Sequence, residues 1–227
     1  MWLIFDVNGV ITRNVELSII NRFCKQHGRN RLIALIRYFA DAAEYYRGCM
    51  PGREFWASVL GPGGYEFVVD SYSKSTYLNR QILGKLKDLK KKGFRMGVLS
   101  NSCDIMSATY EKKGFYDFAD RVYLSDRIHM IKPYHSTFRF VVNDIGADPK
   151  EVLLIDDSWY NIVAARIFGW RVIWFKDIHS LEKIESKFTP MKRRLKKKIR
   201  KRKKRIKKKL RQRKINKAKK KMKKPKK

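Results

Sequence analysis

The amino-acid sequence predicts an α/β protein with a Rossmann-like parallel sheet and helices on both of its faces. Two observations predict this class: short apolar runs of strand length, and intervening segments whose apolar residues repeat at helical spacing. Strands that alternate with helices are typical of a parallel sheet, because each crossover between parallel strands carries a helix. A chain of 227 residues is long enough for one such domain with a small insertion or a tail.

Five strands and four helices follow from these patterns. The predicted strands cover residues 1–5, 95–99, 121–124, 152–155 and 171–175. The first of them is apolar throughout, as in a strand that is buried on both faces of a parallel sheet. The predicted helices cover residues 78–92, 105–113, 135–145 and 160–168. Glycines end three of these helices, at Gly93, Gly114 and Gly169.

The segment between the first two strands shows helical spacing and no alternation of the strand kind. Its apolar residues form three sets: Leu17, Ile20, Phe23 and Cys24; Leu32, Leu35, Ile36, Phe39, Ala42 and Ala43; and Phe55, Trp56, Val59 and Leu60. Stretches that contain Pro and Gly separate them, at residues 50–52 and 61–64. We therefore predict a small helical cap at residues 14–78, inserted into a core made of residues 1–13 and 79–188.

Carboxylates follow two of the predicted strands, at the edge where ligands bind in open α/β sheets. Asp6 ends the first apolar run, and Asp156 and Asp157 follow the fourth. Taken alone, Asp6 would fit better as a residue that caps a turn. Two adjacent carboxylates repel each other, however, and favour a cation between them, and Mg²⁺ prefers carboxylate oxygens. The pattern predicts a magnesium site, with Asp6 as a nucleophile or a metal ligand.

Three further residues predict a phosphate site. Ser100 and Asn101 follow the second strand and supply a hydroxyl, an amide and backbone N–H groups ahead of a helix, where an anion is favoured. Lys132 stands before Pro133 at the start of a helix, where its charge can lie over a phosphate. Plainer interpretations exist for two of them, because Ser100 would also cap a helix and Lys132 would also fit as one surface lysine among many.

Four segments in order resemble the motifs of the haloacid dehalogenase-like (HAD) phosphohydrolase superfamily. They are residues 5–10, 98–101, 132–133 and 154–158, and Asn161, Ala164 and Ala165 extend the last motif. The resemblance spans about residues 1–178, and the helical insertion lies where one branch of the family places its cap. It implies that Asp6 attacks phosphorus and forms an aspartyl-phosphate, while Ser100 and Lys132 hold the phosphoryl oxygens.

The resemblance also implies a magnesium cofactor. Asp6 and Asp157 would hold Mg²⁺ together with the backbone carbonyl of residue 8, and Asp156 would bind the metal or its waters. Asn161 would orient the acidic loop. A metal and a lysine neutralise the phosphate dianion, which allows an anionic carboxylate to approach phosphorus.

Position 8 departs from the family pattern. Most phosphatases of the family have a second Asp there, which protonates the leaving group and then activates water, whereas this chain has Asn8. Positioned acid–base groups contribute about 10²–10⁴-fold, so alkyl phosphates should react slowly. Three interpretations stay open: a substrate with a good leaving group, a proton donor from the cap, or a domain that mainly binds. The cap candidates are Arg13, His27, Glu44, Tyr45, Tyr46 and Arg53.

The C-terminal tail differs from the rest of the chain in charge. Residues 187–227 hold 27 of the 54 Lys and Arg residues and no Asp or Glu. We predict that residues 189–227 are disordered alone or helical on binding, because self-repulsion opposes folding and a narrow apolar stripe repeats at helical spacing. The charge predicts a polyanionic partner, RNA or the ribosome rather than a membrane surface, since no aromatic residue follows Phe188. A solubilising tail without a fixed partner is the alternative.

The three cysteines form no CxxC pair, and their odd number favours a reducing, intracellular setting. We find no secretory signal and no apolar run long enough for a membrane span. We therefore predict a cytoplasmic protein, or a nuclear one in a eukaryote. Together the patterns predict a Mg²⁺-dependent HAD-like hydrolase, a phosphomonoester or acyl-phosphate phosphatase that acts on a small substrate. The alternative is a catalytically weak HAD-like domain that serves as an RNA-associated binding or scaffold protein through its tail.

Overall fold

The structure is a computed structural model that describes residues 1–187, and the predicted tail at residues 189–227 lies outside the described residues. Five parallel strands form one sheet in the order β3-β2-β1-β4-β5. The strands are β1 Trp2–Phe5, β2 Arg95–Ser100, β3 Arg121–Leu124, β4 Val152–Asp156 and β5 Arg171–Trp174. The predicted parallel α/β class is confirmed, and each strand lies within one residue of its predicted bounds.

β1 is the central strand, which accounts for its wholly apolar sequence. It pairs with β2 on one side, where Phe5 lies opposite Val98, and with β4 on the other, where Phe5 lies opposite Ile155. All four residues of β1 are buried, and so are all five of β4. The carboxyl ends of three neighbouring strands therefore meet at one edge of the sheet, directly beyond Phe5.

Helices connect the strands. The first four are α1 Glu16–Gln26, α2 Arg31–Tyr46, α3 Gly52–Leu60 and α4 Gly64–Ser75. The others are α5 Arg80–Lys91, α6 Asp104–Lys112, α7 Ser125–Ile128, α8 His135–Ile145, α9 Trp159–Phe168 and α10 His179–Lys187. A 3₁₀ turn at Pro149–Glu151 precedes β4. The four helices predicted outside the cap correspond to α5, α6, α8 and α9, with bounds that differ by two residues or fewer.

Residues 14–78, which we call the helical segment, contain α1–α4 and no strand. The three predicted apolar sets fall on α1, α2 and α3, whereas α4 has few buried apolar residues and matches none of them. On α2 the predicted set points outward, because Leu32, Ile36 and Phe39 are exposed and the helix buries Tyr38 and Tyr45 instead. The division of the chain into a core and a cap stays a prediction.

The buried face of α2 depends on aromatic packing and on hydroxyl groups that find partners. The ring of Tyr45 stacks on Phe55 of α3 with centroids 4.1 Å apart, and its hydroxyl donates to Asp104 Oδ1 at 2.8 Å. A buried Tyr needs such a partner for its hydroxyl. Apolar spacing alone therefore selected the wrong face of this helix, since tyrosines supply the contact.

The three cysteines are free, with Cys24 and Cys103 buried and Cys49 exposed. Among the residues that the structure describes, none of the helices combines the length and the apolar character needed to cross a bilayer.

Candidate active site

Three carboxylates converge at the edge of the sheet beyond β1 and β4. Asp6 follows β1, Asp156 is the last residue of β4, and the pairing of these neighbouring strands brings the two side chains together. One oxygen from each of Asp6, Asp156 and Asp157 lies within 4.8 Å of the others. Asp6 and Asp156 are buried, and Asp157 is partly exposed. The three acidic residues that the sequence predicted as metal ligands thus share one site.

Lys132 lies between two of these carboxylates. Its Nζ is 2.7 Å from Asp156 Oδ2 and 3.1 Å from Asp6 Oδ1, and the residue is only 2% exposed. Burial alone would lower the pKa of Lys132, but the carboxylates of Asp156 and Asp6 raise it above its usual range. The lysine is therefore charged and fixed in the interior of the site, and the surface interpretation of Lys132 is wrong.

The charge balance of the site favours a bound cation. Burial raises the pKa of Asp6 to about 7; Asp156 and Asp157 add to the rise, while Lys132 and the Val7 N–H oppose it. Burial and the neighbouring Asp156 also raise the pKa of Asp157. One lysine against three carboxylates leaves an excess of negative charge, and a divalent cation would remove the repulsion that raises these pKa values.

Two observations test whether these residues fit Mg²⁺. Gly9 has a φ of +81°, and a Cβ placed there would lie 2.0 Å from Asp157 Oδ2, so the glycine makes room for that carboxylate. Asn161 Oδ1 is buried and has no hydrogen-bond partner within the described part of the chain, which suits an acceptor that faces a water of a metal ion. A set of oxygen ligands with room for retained waters fits Mg²⁺.

Asn161 fixes Asp156. Its Nδ2 donates to both carboxylate oxygens of Asp156 at 3.1 Å, and the backbone N–H of Ser158 donates to Asp156 Oδ1 at 2.9 Å. Together with Lys132 these contacts occupy both oxygens of Asp156. The residue is therefore well placed to position its neighbours.

The predicted phosphate ligands are arranged differently from one another. Asn101 uses its whole amide on Lys132, because its Nδ2 donates to the Lys132 carbonyl at 2.9 Å and its Oδ1 accepts from the Lys132 N–H at 2.8 Å. Asn101 thus orients the lysine. Ser100 is buried at the end of β2, and its hydroxyl makes a long contact of 3.4 Å to the Asn101 carbonyl. Direct phosphate binding by Ser100 and Asn101 stays a prediction.

The amide of Asn8 is held by α6. Asn8 Oδ1 accepts a hydrogen bond of 2.6 Å from the Tyr110 hydroxyl, and its Nδ2 lies 3.4 Å from Met106 Sδ. Both ends of the amide are therefore occupied by α6. An amide in this position positions a neighbour or a ligand, but it transfers no proton at neutral pH.

A cavity of about 310 Å³ opens over the carboxylates. The sheet edge contributes Asp6, Asn8, Asn101, Lys132, Asp157 and Asn161, and the helical segment contributes Asn14, Glu16, Leu17, Tyr38, Phe39, Ala42 and Tyr46. This volume lies at the lower end of the range for small-molecule sites, which is about 300–1,000 Å³. Of the six candidate proton donors, Tyr46 lines this cavity.

Sequence reasoning did not assign Glu16 or Tyr38 to this cavity, and it did not assign the apolar lining residues Leu17, Phe39 and Ala42. They carry no motif, and helical spacing assigns no role to a Glu at the start of a helix.

A second cavity, of about 1,000 Å³, is lined by residues 9–14 and 77–82 together with Phe175, Asp177 and Ile178. It includes Arg13 but not the three clustered carboxylates, so its size does not make it the better candidate for chemistry.

Comparisons with known proteins agree with the geometry. A family model described as haloacid dehalogenase-like hydrolase matches residues 65–175. D-ribitol-5-phosphate phosphatase of Bacteroides thetaiotaomicron is 24% identical over 181 residues, which cover 74% of this chain and 88% of that protein. Bifunctional epoxide hydrolase 2 of Rattus norvegicus is 31% identical over 119 residues, which cover 47% of this chain and 21% of that protein. The chain spans about half or less of the length of several other curated relatives that it matches.

A solved structure shares the fold. It is a HAD family enzyme from Bacteroides thetaiotaomicron in complex with magnesium and inorganic phosphate, and its TM-score is 0.66 at 24% identity. The match covers 77% of this chain and 93% of that chain.

Proposed function

Because this chain belongs to the haloacid dehalogenase-like hydrolase family, we propose that it is a Mg²⁺-dependent phosphatase that acts on a small phosphorylated molecule. The observation that carries the proposal is the convergence of carboxylate oxygens from Asp6, Asp156 and Asp157 within 4.8 Å, beside the charged Lys132. Asp6, Asp157 and the backbone carbonyl of Asn8 would hold the ion, with Asp156 bound to it or to its waters. When bound, Mg²⁺ supplies positive charge that stabilises the phosphate oxygens.

The residues of the chain divide the reaction between them. A carboxylate oxygen of Asp6 attacks phosphorus, the bond from phosphorus to the leaving group breaks, and water then hydrolyses the aspartyl-phosphate. Lys132 is already charged beside Asp6, so it stabilises the phosphoryl oxygens without reorganisation. Asp156, Asn161 and Asn101 keep the lysine in place through the hydrogen bonds described above.

A small phosphomonoester or an acyl phosphate is the substrate class that we propose. The cavity of about 310 Å³ admits a molecule of sugar-phosphate size, and a relative that matches most of this chain is named for the hydrolysis of D-ribitol 5-phosphate. Leu17, Phe39 and Tyr160 line the same cavity and are exposed, which adds apolar surface that a substrate can contact.

Phosphate release from a panel of phosphate esters and acetyl phosphate, with and without Mg²⁺, tests this function. We expect release that requires Mg²⁺ and falls by at least about 10³-fold in Asp6→Asn, because the nucleophile is lost. Asp70→Asn is the matched control, since Asp70 is an exposed partner of Lys74 on α4. No release from any substrate by the parent protein would contradict the proposal.

We propose that the tail binds RNA or another polyanion. We also propose that the protein is cytoplasmic, so that this partner is a cytoplasmic one. The 27 Lys and Arg residues of residues 187–227, with no acidic residue among them, support this proposal. A chain that ends at residue 188 should keep phosphatase activity and lose RNA binding at low salt. Undiminished RNA binding by the shortened chain would contradict it. If RNA binding requires the tail and the panel shows no phosphate release, the alternative of a scaffold protein is favoured.

A further inference from the structure

We infer that Glu16 and Tyr46, both on the helical segment, form the acid–base pair that replaces the Asp absent from position 8. The inference rests on the proposed phosphatase function and assigns two of its residues. Glu16 holds the proton, and the Tyr46 hydroxyl passes it between Glu16 and the reacting oxygen.

The geometry places this pair on the wall of the cavity that also contains Asp6. The Tyr46 hydroxyl lies 3.3 Å from Glu16 Oε1, in a hydrogen bond to which Tyr46 donates when Glu16 is ionised and Glu16 donates when it is protonated. The Tyr46 hydroxyl also shares a hydrogen bond of 2.8 Å with the Tyr38 hydroxyl. Glu16 Oε2 accepts from the Val15 N–H at 3.1 Å. Glu16 is 3% exposed as a residue, so its carboxyl communicates with the cavity mainly through the Tyr46 hydroxyl. A connected set of hydroxyl groups of this kind conducts a proton in either direction.

The surroundings of Glu16 favour its protonated form. Burial raises the pKa of Glu16, and hydrogen bonds from the Val15 N–H and from the Tyr46 hydroxyl offset only part of the rise. The titratable side chains whose pKa the Glu16 charge raises include Tyr38, Tyr46, Tyr72, Cys103 and Tyr110. None of these is a cation, so Glu16 differs from the carboxylates beside Lys132. A carboxyl group that keeps its proton at higher pH is suited to general acid catalysis.

Asn8 cannot serve as the general acid and base of the reaction. Its amide accepts from Tyr110 and faces Met106, so the position that would carry the acid in most relatives is committed to α6. The helical segment supplies Glu16 to the same cavity. Among the described residues that line this cavity, Glu16 is the acidic residue that does not belong to the cluster of Asp6, Asp156 and Asp157.

The two half-reactions balance. In the first, Asp6 attacks phosphorus, the bond from phosphorus to the leaving oxygen breaks, and that oxygen takes the Tyr46 proton while Tyr46 takes the Glu16 proton. In the second, water attacks the aspartyl-phosphate and gives its proton to Tyr46, which passes its own proton to the Glu16 carboxylate. The bond from phosphorus to the Asp6 oxygen then breaks, and Glu16 ends each turnover protonated.

Glu16→Gln and Tyr46→Phe test the inference in the full chain with Mg²⁺. The substrates are β-glycerol phosphate, whose alkoxide leaving group needs a proton, and p-nitrophenyl phosphate, whose phenolate does not. We expect each variant to lower kcat on β-glycerol phosphate by about 10²-fold or more. With p-nitrophenyl phosphate we expect the initial burst of nitrophenol to survive while the steady-state rate falls, because only the second half-reaction then needs the pair. Glu66→Gln is the control, since Glu66 is an exposed residue of α4 that pairs with Arg53 of α3.

The outcomes separate this inference from the proposed function. A parent protein that releases no phosphate would overturn both. An active parent whose Glu16→Gln and Tyr46→Phe variants match Glu66→Gln on both substrates would overturn only the inference. Loss of the burst in parallel with the steady-state rate, together with a lowered Tm in both variants, would assign the pair a structural role and would also overturn it. Loss of the high-pH limb of the β-glycerol phosphate rate in Glu16→Gln, with the burst intact, supports it.

Discussion

Asp6 and Glu16 are buried carboxyl groups ten residues apart that line one cavity, yet their surroundings differ in charge. Asp6, at the sheet edge, has the Lys132 ammonium at 3.1 Å, whereas Glu16, on α1, has the Tyr46 hydroxyl and the Val15 N–H. Burial raises the pKa of both, and a cation opposes the rise only at Asp6. A buried carboxyl beside a cation is thus prepared to act as an anion, whereas a buried carboxyl among neutral donors is prepared to hold a proton.

Removing the cation from the sheet edge should have the largest effect. Lys132→Met leaves Asp6 and Asp156 buried without a positive partner, which should lower the free energy of unfolding by about 3–5 kcal/mol. Denaturant unfolding in Mg²⁺-free buffer measures the loss. Lys74→Met removes an exposed ion pair with Asp70 and should cost less than about 1 kcal/mol. Equal losses in the two variants would mean that Lys132 does not balance the carboxylates.

Crowding the proposed metal site with an added methyl group should have the second largest effect, on Mg²⁺ affinity. Gly9→Ala puts a Cβ 2.0 Å from Asp157 Oδ2, which should displace that carboxylate and weaken Mg²⁺ binding by about 10–100-fold. Gly93→Ala is the matched control, because Gly93 has a φ of +85° against +81° and nothing lies within 4 Å of its added Cβ. Both variants should lose about 1–2 kcal/mol of stability from the left-handed backbone alone. Titration calorimetry with Mg²⁺ tests the difference, and the same Mg²⁺ affinity in both variants would refute it.

Restoring an acid at position 8 should have the next largest effect, on the rate of hydrolysis of an alkyl phosphate. Asn8→Asp should raise kcat on β-glycerol phosphate by about tenfold or more, since a positioned acid contributes about 10²–10⁴-fold. The gain should be larger in a Glu16→Gln background, where the new acid has no competitor. Asn143→Asp makes the same change on the exposed side of α8 and should give no gain. A rate that is unchanged or lower in Asn8→Asp would show that proton transfer does not limit turnover.

The smallest expected effect is that of Glu16→Gln on the pH dependence of the free energy of unfolding. Because the folded-state pKa of Glu16 is raised from 4.5, the unfolded chain ionises first as pH rises, and the parent loses stability from about pH 4.5 until pH passes the folded pKa. Glu16→Gln removes this loss, which is at most about 1.4 kcal/mol per pH unit. Urea unfolding of both proteins between pH 4 and pH 8 measures it. Parallel stability curves would show that Glu16 does not titrate with a raised pKa.

The sheet edge was predictable from sequence because parallel strands end together. Once β1 and β4 are recognised as apolar runs, Asp6, Asp156 and Asp157 fall at the same edge of the sheet, and the pairing of β1 with β4 brings them together. The depth of Lys132 was not predictable, because its burial depends on Asn101 holding its backbone from another loop.

The helical segment was predictable as helices but not as a wall of the site. Hydrophobic spacing placed the buried face of α2 at Leu32, Ile36 and Phe39, whereas Tyr38 and Tyr45 occupy it. Tyrosines there gain ring packing and hydrogen bonds that no periodic pattern records. Glu16 belongs to the same contacts, which explains why its sequence position gives no sign of its burial.

The phosphorylation state of Asp6 during turnover is the most direct evidence for or against an aspartyl-phosphate intermediate. The protein would be quenched in acid while it hydrolyses radiolabelled acetyl phosphate with Mg²⁺, and the labelled residue mapped by peptide sequencing. The account predicts label on Asp6 in the parent and more of it in Glu16→Gln, because the second half-reaction slows. Active phosphate release with no label on Asp6, or with label on another residue, would contradict the account.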